Sequence, residues 1–355
     1  MAETFNKQLT HDTARGFMFM ELYDAALKTV RDLALTKPGE KVLVLADTAI
    51  DWEMLKLLAS AAYSLGAEPC ITVYETRKEV DMEPPKHVSE AMKSSDVIIS
   101  LPLMYILHTT AYNEAMKAGA RILELTGMNP DMLIRLIGRV DYSTMCKLGD
   151  KLTELTANAR EVVIKSVNGT DLRFENDPKR PVFHNDGIMN KKGFYKPLGG
   201  QISWAPIEET FEGTIVFDTF VWPPTELGVL KNPLKVVAKN GKIVKIEGGI
   251  EAKIFEKWLK NLGDEKMYYV AHASWGFHPT AKLTGVPLED ERIYAGVEFG
   301  FGSQSLKFEG KVGLAKAHTD AGIYNPTVLY DGETIAKDGR FVQKELIEYD
   351  KKLKG

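Results

Sequence analysis

Between Lys41 and Glu124 the chain alternates short apolar runs with amphipathic stretches, and this alternation restricts the fold more than any other feature. KVLVLAD (41–47) is nearly continuous in Val and Leu, as in a strand covered on both faces. DWEMLKLLASAAYSLGAE follows with helical spacing and stops at Gly66. CITVYE, DVIISL and RILEL are three further runs, with helices expected over Pro84–Ser94 and over MYILHTTAYNEAMKAGA. A helix from Thr13 to Leu35 precedes the first run and ends at Lys37-Pro38-Gly39. Strands alternating with helices predict a parallel, doubly wound sheet. No Gly-x-Gly-x-x-Gly follows the first run, and the ADTAID turn there offers Asp47 and Asp51, which repel a pyrophosphate. A dinucleotide site is therefore not expected in this half. The carboxyl ends of such strands still face a crevice, and His108 lies just beyond the third run.

The pattern changes after a polar helical stretch, Asn129–Ala159. EVVIKSVNGTDLRFE and LKVVAKNGKIVKIEGG are two Asn-Gly hairpins with alternating residues on either side of the turn. GGQISWAP and GTIVFDTFVWP between them are strand-like, VLYDGETIAKDGRFV is another turn-linked pair, and Glu251–Asn261 and Lys344–Lys354 are helical. The fold class expected is α/β: an N-terminal parallel α/β domain over residues 1–150 and a C-terminal, mainly antiparallel α+β domain over 151–355.

Composition excludes several functions. Net charge is −4, which gives no electrostatic footprint for nucleic acid or an anionic membrane. The two cysteines, Cys70 and Cys146, are far apart in the chain and read as thiols, not as a disulfide framework or a metal knuckle. The N-terminal MAETFNKQLTHDTAR is polar without an apolar core, and no apolar run reaches spanning length. A cytoplasmic enzyme or binding protein is expected.

The chemistry concentrates between Tyr269 and Asp320, where His272, His278 and His318 occur among YVAHASWGFHP, GVEFGFGSQS and AKAHTDAGI. On a strand, His318 and Asp320 point to one face. One more imidazole from a neighbouring strand makes two His and one carboxylate, the set that binds non-haem Fe(II) and leaves positions open. Taken alone, a His-x-Asp pair also recurs on ordinary surfaces.

The order PLGGQISWAP, EGTIVFD, NGKIVKIEGG, YVAHASWGF, GVEFGFG, AHTDAGI resembles a superfamily with two branches. These are the thermophilic-type metalloaminopeptidases and the Fe(II)-dependent 2,5-dihydroxypyridine 5,6-dioxygenases. The resemblance is close over the C-terminal half and looser before it. The dinuclear peptidase branch carries a Glu pair where this chain has Gly200-Gln201, a Glu at His272, a His at Glu298 and a Tyr near Ser305; only His318 and Asp320 agree. Neutral Gln201 cannot bridge two dications as a carboxylate does. The dioxygenase branch has a His followed by Trp-Gly, as at His272 and Trp275-Gly276, and keeps the His-x-Asp.

The resemblance thus implies a facial triad of His272, His318 and Asp320 holding Fe(2+). It implies extradiol-type cleavage of a dihydroxypyridine or similar hydroxylated ring with O2, and a homo-oligomer. The dioxygenases carry a similar Leu-His at Leu107-His108, which makes His108 a proton carrier; His184, in the turn-rich PVFHNDGIMNKKG, is the second candidate. From the residues themselves, Ser303 and Gln304 can hydrogen-bond a ring, Trp275 and Phe301 either flank it or belong to the core, and His278 either lines the substrate site behind the metal or caps the segment after it. Glu298 is a fourth ligand, an orienter of an imidazole or a remnant of a second metal position. A metallo-aminopeptidase and a non-catalytic binding protein on the same fold are the alternatives.

Overall fold

The computed structural model describes residues 15–355. The first residues of the expected N-terminal helix, and His11, lie outside that range. The chain divides into two compact units: one runs to Val140 and takes in Asp186–Gly199, the other comprises Asp141–Asn185 and Gly200–Gly355. The expected single boundary at 150 differs from this in two ways. Helix Tyr142–Asn158 goes with the second unit, and a later segment returns to the first.

The first unit is built on a five-stranded parallel sheet. Its order is Glu68–Tyr74, Lys41–Asp47, Val97–Ser100, Arg121–Glu124 and Phe194–Pro197. Val42 to Ala46 are fully buried, as a strand covered on both faces requires. The returning strand Phe194–Pro197 comes directly after the turn-rich PVFHNDGIMNKKG, at a place where the sequence reading has no strand. The ADTAID turn occupies itself: Asp47 accepts from Ala49 N and Leu103 N, both at 3.0 Å, and Asp51 caps helix Trp52–Ser64 by accepting from Met54 N at 2.9 Å. A carboxylate already fills the helix N-terminus that would hold a pyrophosphate.

The second unit holds an eight-stranded and a seven-stranded antiparallel sheet. Both Asn-Gly hairpins form as read, Glu161–Lys165 with Asp171–Glu175 and Leu234–Lys239 with Lys242–Gly248. At the second, Asn240 and Gly241 both take positive φ, as the two-residue hairpin turn demands. The seven-stranded sheet runs Gly228–Val229, Phe220–Trp222, His318–Ile323, Gly296–Gly302, Val270–Gly276, Gln201–Trp204, Val182–Asn185. One of its faces packs on the other sheet through aromatic contacts: Phe299 meets Phe174 at 6.2 Å and Phe211 at 5.2 Å between ring centres. Trp275 lies on this face, buried, and donates to Tyr330 Oη at 2.7 Å. Among the described residues no helix is long and apolar enough to cross a membrane.

Candidate metal centre

The opposite face of the seven-stranded sheet carries the polar set. Side chains alternate along a strand, so His272 and Ser274 leave the aromatic face to Ala273 and Trp275. Antiparallel register then aligns neighbours: Gly300 stands opposite both His272 and Asp320, and Glu298 opposite Ser274. His318 and Asp320, two apart on the adjacent strand, complete the patch.

Three atoms converge there. His272 Nε2 is 3.1 Å from His318 Nε2 and 3.2 Å from Asp320 Oδ1, and His318 Nε2 is 2.9 Å from the same oxygen. His272, His318 and Asp320 form one group able to hold a metal ion. An octahedron with bonds of about 2.1 Å has edges of about 3.0 Å, and a tetrahedron with such bonds has edges of about 3.4 Å. The edges of the observed triangle come nearer to those of an octahedral face than to those of a tetrahedral one.

The other nitrogen of each ring fixes its tautomer. His318 Nδ1 lies 2.8 Å from the carbonyl oxygen of Ser303, which only accepts, so this nitrogen carries the proton and Nε2 is bare. Ser274 Oγ donates to Ser203 Oγ at 2.9 Å and lies 3.2 Å from His272 Nδ1. With its proton directed at Ser203, Ser274 accepts from Nδ1, and the Nε2 of His272 is bare as well. Two bare nitrogens and a carboxylate oxygen therefore face one another. That is the donor set a cation requires.

Electrostatics agree. With the imidazoles protonated, burial pushes Asp320 up, but the charge of His318 and hydrogen bonds from both rings outweigh it and hold the group well below the usual carboxylate range; a cation would take the place of those protons and leave both Nε2 atoms bare. Burial lowers the His272 pKa, with Asp320 opposing and Lys307 adding a smaller lowering. For His318 burial works downward, but Asp320 prevails and the pKa rises. The His318 side chain is 32% exposed and that of His272 11%, so the patch opens on the His318 side. Phe308 stacks on the His272 ring, with centres 5.6 Å apart. Gly300 makes room for the imidazoles: a Cβ there would lie 2.3 Å from His272 Nε2 and 2.7 Å from His318 Cε1.

Glu298 stands behind the triad. Its Oε1 is 3.9 Å from His272 Nδ1, and its Oε2 accepts from Gln201 Nε2 at 3.3 Å. It lies outside the group of three. Burial first, then the charges of Asp320 and Glu291, push its pKa well above the carboxylate range. Glu291 is raised to about 7, again by burial. Gln201 Nε2 also reaches Glu291, at 3.3 Å.

The remaining expected residues fall elsewhere. His184 sits on strand Val182–Asn185, not in a loop, and its neighbour Phe183 shares the His272 face. The His184 Nδ1 is 3.0 Å from Asp150, the ring packs on Phe277, and Nε2 is buried against Gly149. Trp275 and Phe301 belong to the aromatic face; Phe301 packs on Phe211 and Phe217 and flanks no ring at the triad. His278 is fully buried, with Nδ1 3.3 Å from Thr280 Oγ1 and its ring edge-on to Tyr142. Gln304 is buried and bonded to Glu208, Ala271 and Val312. Ser303 contributes through its backbone to His318. His108, in the first unit, is exposed on the turn before helix Thr110–Lys117, its backbone N–H held by Asp81 at 2.9 Å. Reading the sequence missed Gly300, Ser203, Ser274 and Phe308.

Comparison with known proteins follows the geometry. A family model described as 2,5-dihydroxypyridine 5,6-dioxygenase matches residues 21–343. The solved structure of a 2,5-dihydroxypyridine dioxygenase from Pseudomonas putida KT2440 aligns with a TM-score of 0.74 at 20% identity, over 91% of this chain and 98% of that one. Wild-type AmpT from Thermus thermophilus aligns with a TM-score of 0.64 at 17% identity, over 91% of this chain and 99% of that one. No curated protein matches. At these identities the structural likeness establishes the fold, and it bears out the α/β class expected from the sequence.

Proposed function

Because the chain belongs to the 2,5-dihydroxypyridine 5,6-dioxygenase family, with residues 21–343 matched, we propose that it is an Fe(II)-dependent, extradiol-type ring-cleaving dioxygenase. Its substrate on this reading is a dihydroxypyridine or a similar hydroxylated ring, cleaved with O2. The observation that carries the reading is the convergence of two bare imidazole nitrogens and one carboxylate oxygen within 2.9–3.2 Å. His272, His318 and Asp320 would hold the ion, and three ligands on one face leave the rest of its coordination open. Iron, when bound, supplies a path for electrons between ring and O2. The protein orients the ring and moves protons. Phe308, stacked on His272, supports a planar substrate beside the ligands. Ser303 and Ser274 keep protons off the two Nε2 atoms. His108 is the proposed proton carrier, supported by its exposure beyond the third parallel strand, where ligands of open α/β sheets bind.

Homo-oligomeric assembly, which the family resemblance implies, belongs to the same proposal. So does a reducing, cytoplasmic setting, supported by two cysteines that form no disulfide, one of them exposed. No observation favours the peptidase alternative: Gln201 is neutral, and its amide is engaged by Glu291 and Glu298.

The test is anaerobic purification and Fe(II) loading, followed by dihydroxypyridines under air beside a panel of short peptides. One ion per chain is expected, with O2 consumed in step with loss of the ring chromophore. Two tightly held ions, or peptide hydrolysis without O2 and no ring turnover, would sink the proposal.

A further inference from the structure

We propose that Lys307 selects ring substrates that carry an anionic substituent, a carboxylate above all; the inference rests on the ring-cleavage reading. Lys307 stands in the turn Leu306–Phe308 and is exposed. Its Nζ lies 5.2 Å from the centre of the Phe183 ring and 5.7 Å from that of Phe308. These rings meet edge to face at 5.4 Å, and Phe308 in turn stacks on the metal-ligating ring of His272 at 5.6 Å. Phe183 and His272 belong to the same face of the sheet. A platform of two rings therefore extends from the triad and ends in an ammonium.

That ammonium has no carboxylate partner within ion-pair distance among the described residues. A lysine over aromatic faces gains from the ring quadrupoles, but the rings do not neutralise it.

The charge balance of the patch points the same way. A divalent ion brings two positive charges, the imidazoles bring none, and Asp320 brings one negative charge. A ring bound through one ionised hydroxyl cancels the remaining positive charge at the metal and leaves Lys307 unopposed. A substrate with a carboxylate on the far side of the ring meets both cations at once. The rings below exclude water from one side of that contact, which strengthens it over a fully exposed ion pair. 2,5-Dihydroxypyridine, the ring in the family's name, carries no such group, so the preference would show as tighter binding of a ring acid than of that ring.

The experiment compares a matched pair of ligands, 2,5-dihydroxypyridine and a dihydroxypyridine bearing a ring carboxylate. Their dissociation constants are measured by calorimetry on the metal-loaded protein without O2. The wild type is expected to bind the acid about 5–10-fold more tightly, and the advantage should shrink at high salt. In Lys307→Met the ratio of the two constants should fall to about one, and in Lys307→Arg it should return. Under air, KM for the acid should rise in Lys307→Met with little change in kcat. A lysine that merely covered two phenyl rings would be replaced by Met without moving the ratio; that result, or a wild type without preference, overturns the inference alone. Failure of both rings to bind the wild type overturns the ring-cleavage reading and this inference together.

Discussion

Glu124 ends a strand of the parallel sheet, Asp320 lies on a strand of the antiparallel one, and both carboxyl groups are largely removed from solvent. Their shifts have opposite signs. Burial raises Glu124 to about 7, and its hydrogen bonds, from the Tyr112 hydroxyl at 3.0 Å and Thr126 N at 3.1 Å, come from neutral groups. Asp320 feels the same burial, but two imidazoles face it, and its pKa goes down. Glu298, opposite Gly322 on the strand beside Asp320, goes up. Withdrawal from water is thus common to all three, and the partner decides which carboxyl stays ionised. In the parallel sheet both faces are covered, so polar groups close turns and cap helices. In the seven-stranded sheet alternation reserves one face for the core and frees the other for chemistry.

The largest effect should come from breaking the ionised partner set. Asp320→Ala removes the one anion that offsets an ion's charge, and metal binding should be lost altogether. Gly300→Ala should do nearly the same while deleting no ligand, because its Cβ would occupy the space of both imidazoles. Elemental analysis of the folded variants checks both. Full metal occupancy in Gly300→Ala would show that the register around His272 is not as tight as described.

Much of this was legible. The His-x-Asp spacing, the His in YVAHASWG and the Asn-Gly turns are local signals: the turns fix strand pairs, and the spacing sets His318 and Asp320 on one face of a strand. Side-chain parity was legible too. Residues 272 and 275 differ by an odd number, so a strand that turns His272 to the site must turn Trp275 to the core. The same parity separates Phe183 from His184. What no local pattern shows is pairing at a distance. Phe194–Pro197 is four residues long, follows two lysines and a glycine, and becomes a strand only because Arg121–Glu124 accepts it. Gly300, likewise, reads as an ordinary strand glycine until the register sets two imidazoles against it.

The core face gives the contrasting mutation. Trp275→Ala should cost about 3–5 kcal/mol of stability, from lost packing against Phe341 and an unpaired Tyr330 hydroxyl. The protein that remains folded should still bind one ion per chain. Urea denaturation and metal titration on the same samples separate the two. Selective loss of the metal at unchanged stability would contradict the division of labour between faces.

Glu124 sharpens the comparison through pH. Its folded pKa, about 7, lies above the ordinary 4.5, so the folded state holds more protons between those values. The stabilisation is therefore complete below about pH 4.5 and is lost as the pH rises through 7, by roughly 3 kcal/mol at most. Glu124→Gln removes the titration. Relative to this variant, the wild type should lose stability in urea between pH 5 and pH 8. Parallel pH profiles for the two proteins would mean that Glu124 is ionised at lower pH than its surroundings imply.

The smallest effect concerns a proton, not a charge. Ser274 touches no ligand-facing atom, yet its hydroxyl is directed at Ser203 and so keeps the His272 proton on Nδ1. In Ser274→Ala the ring is free to move its proton to Nε2, the atom that faces His318 and Asp320, and a protonated nitrogen cannot bind metal. Metal affinity should fall about 10–100-fold with the stoichiometry unchanged, as for other groups that orient a metal-binding histidine. Ser203→Ala should act in the same direction, because a Ser274 without its acceptor can turn and donate to Nδ1. If both serines work through the one tautomer, the double variant should lose little more than Ser274→Ala does. Competition against a chelator at fixed pH measures all three. Losses that simply add would mean that the two serines support the strand, not the proton.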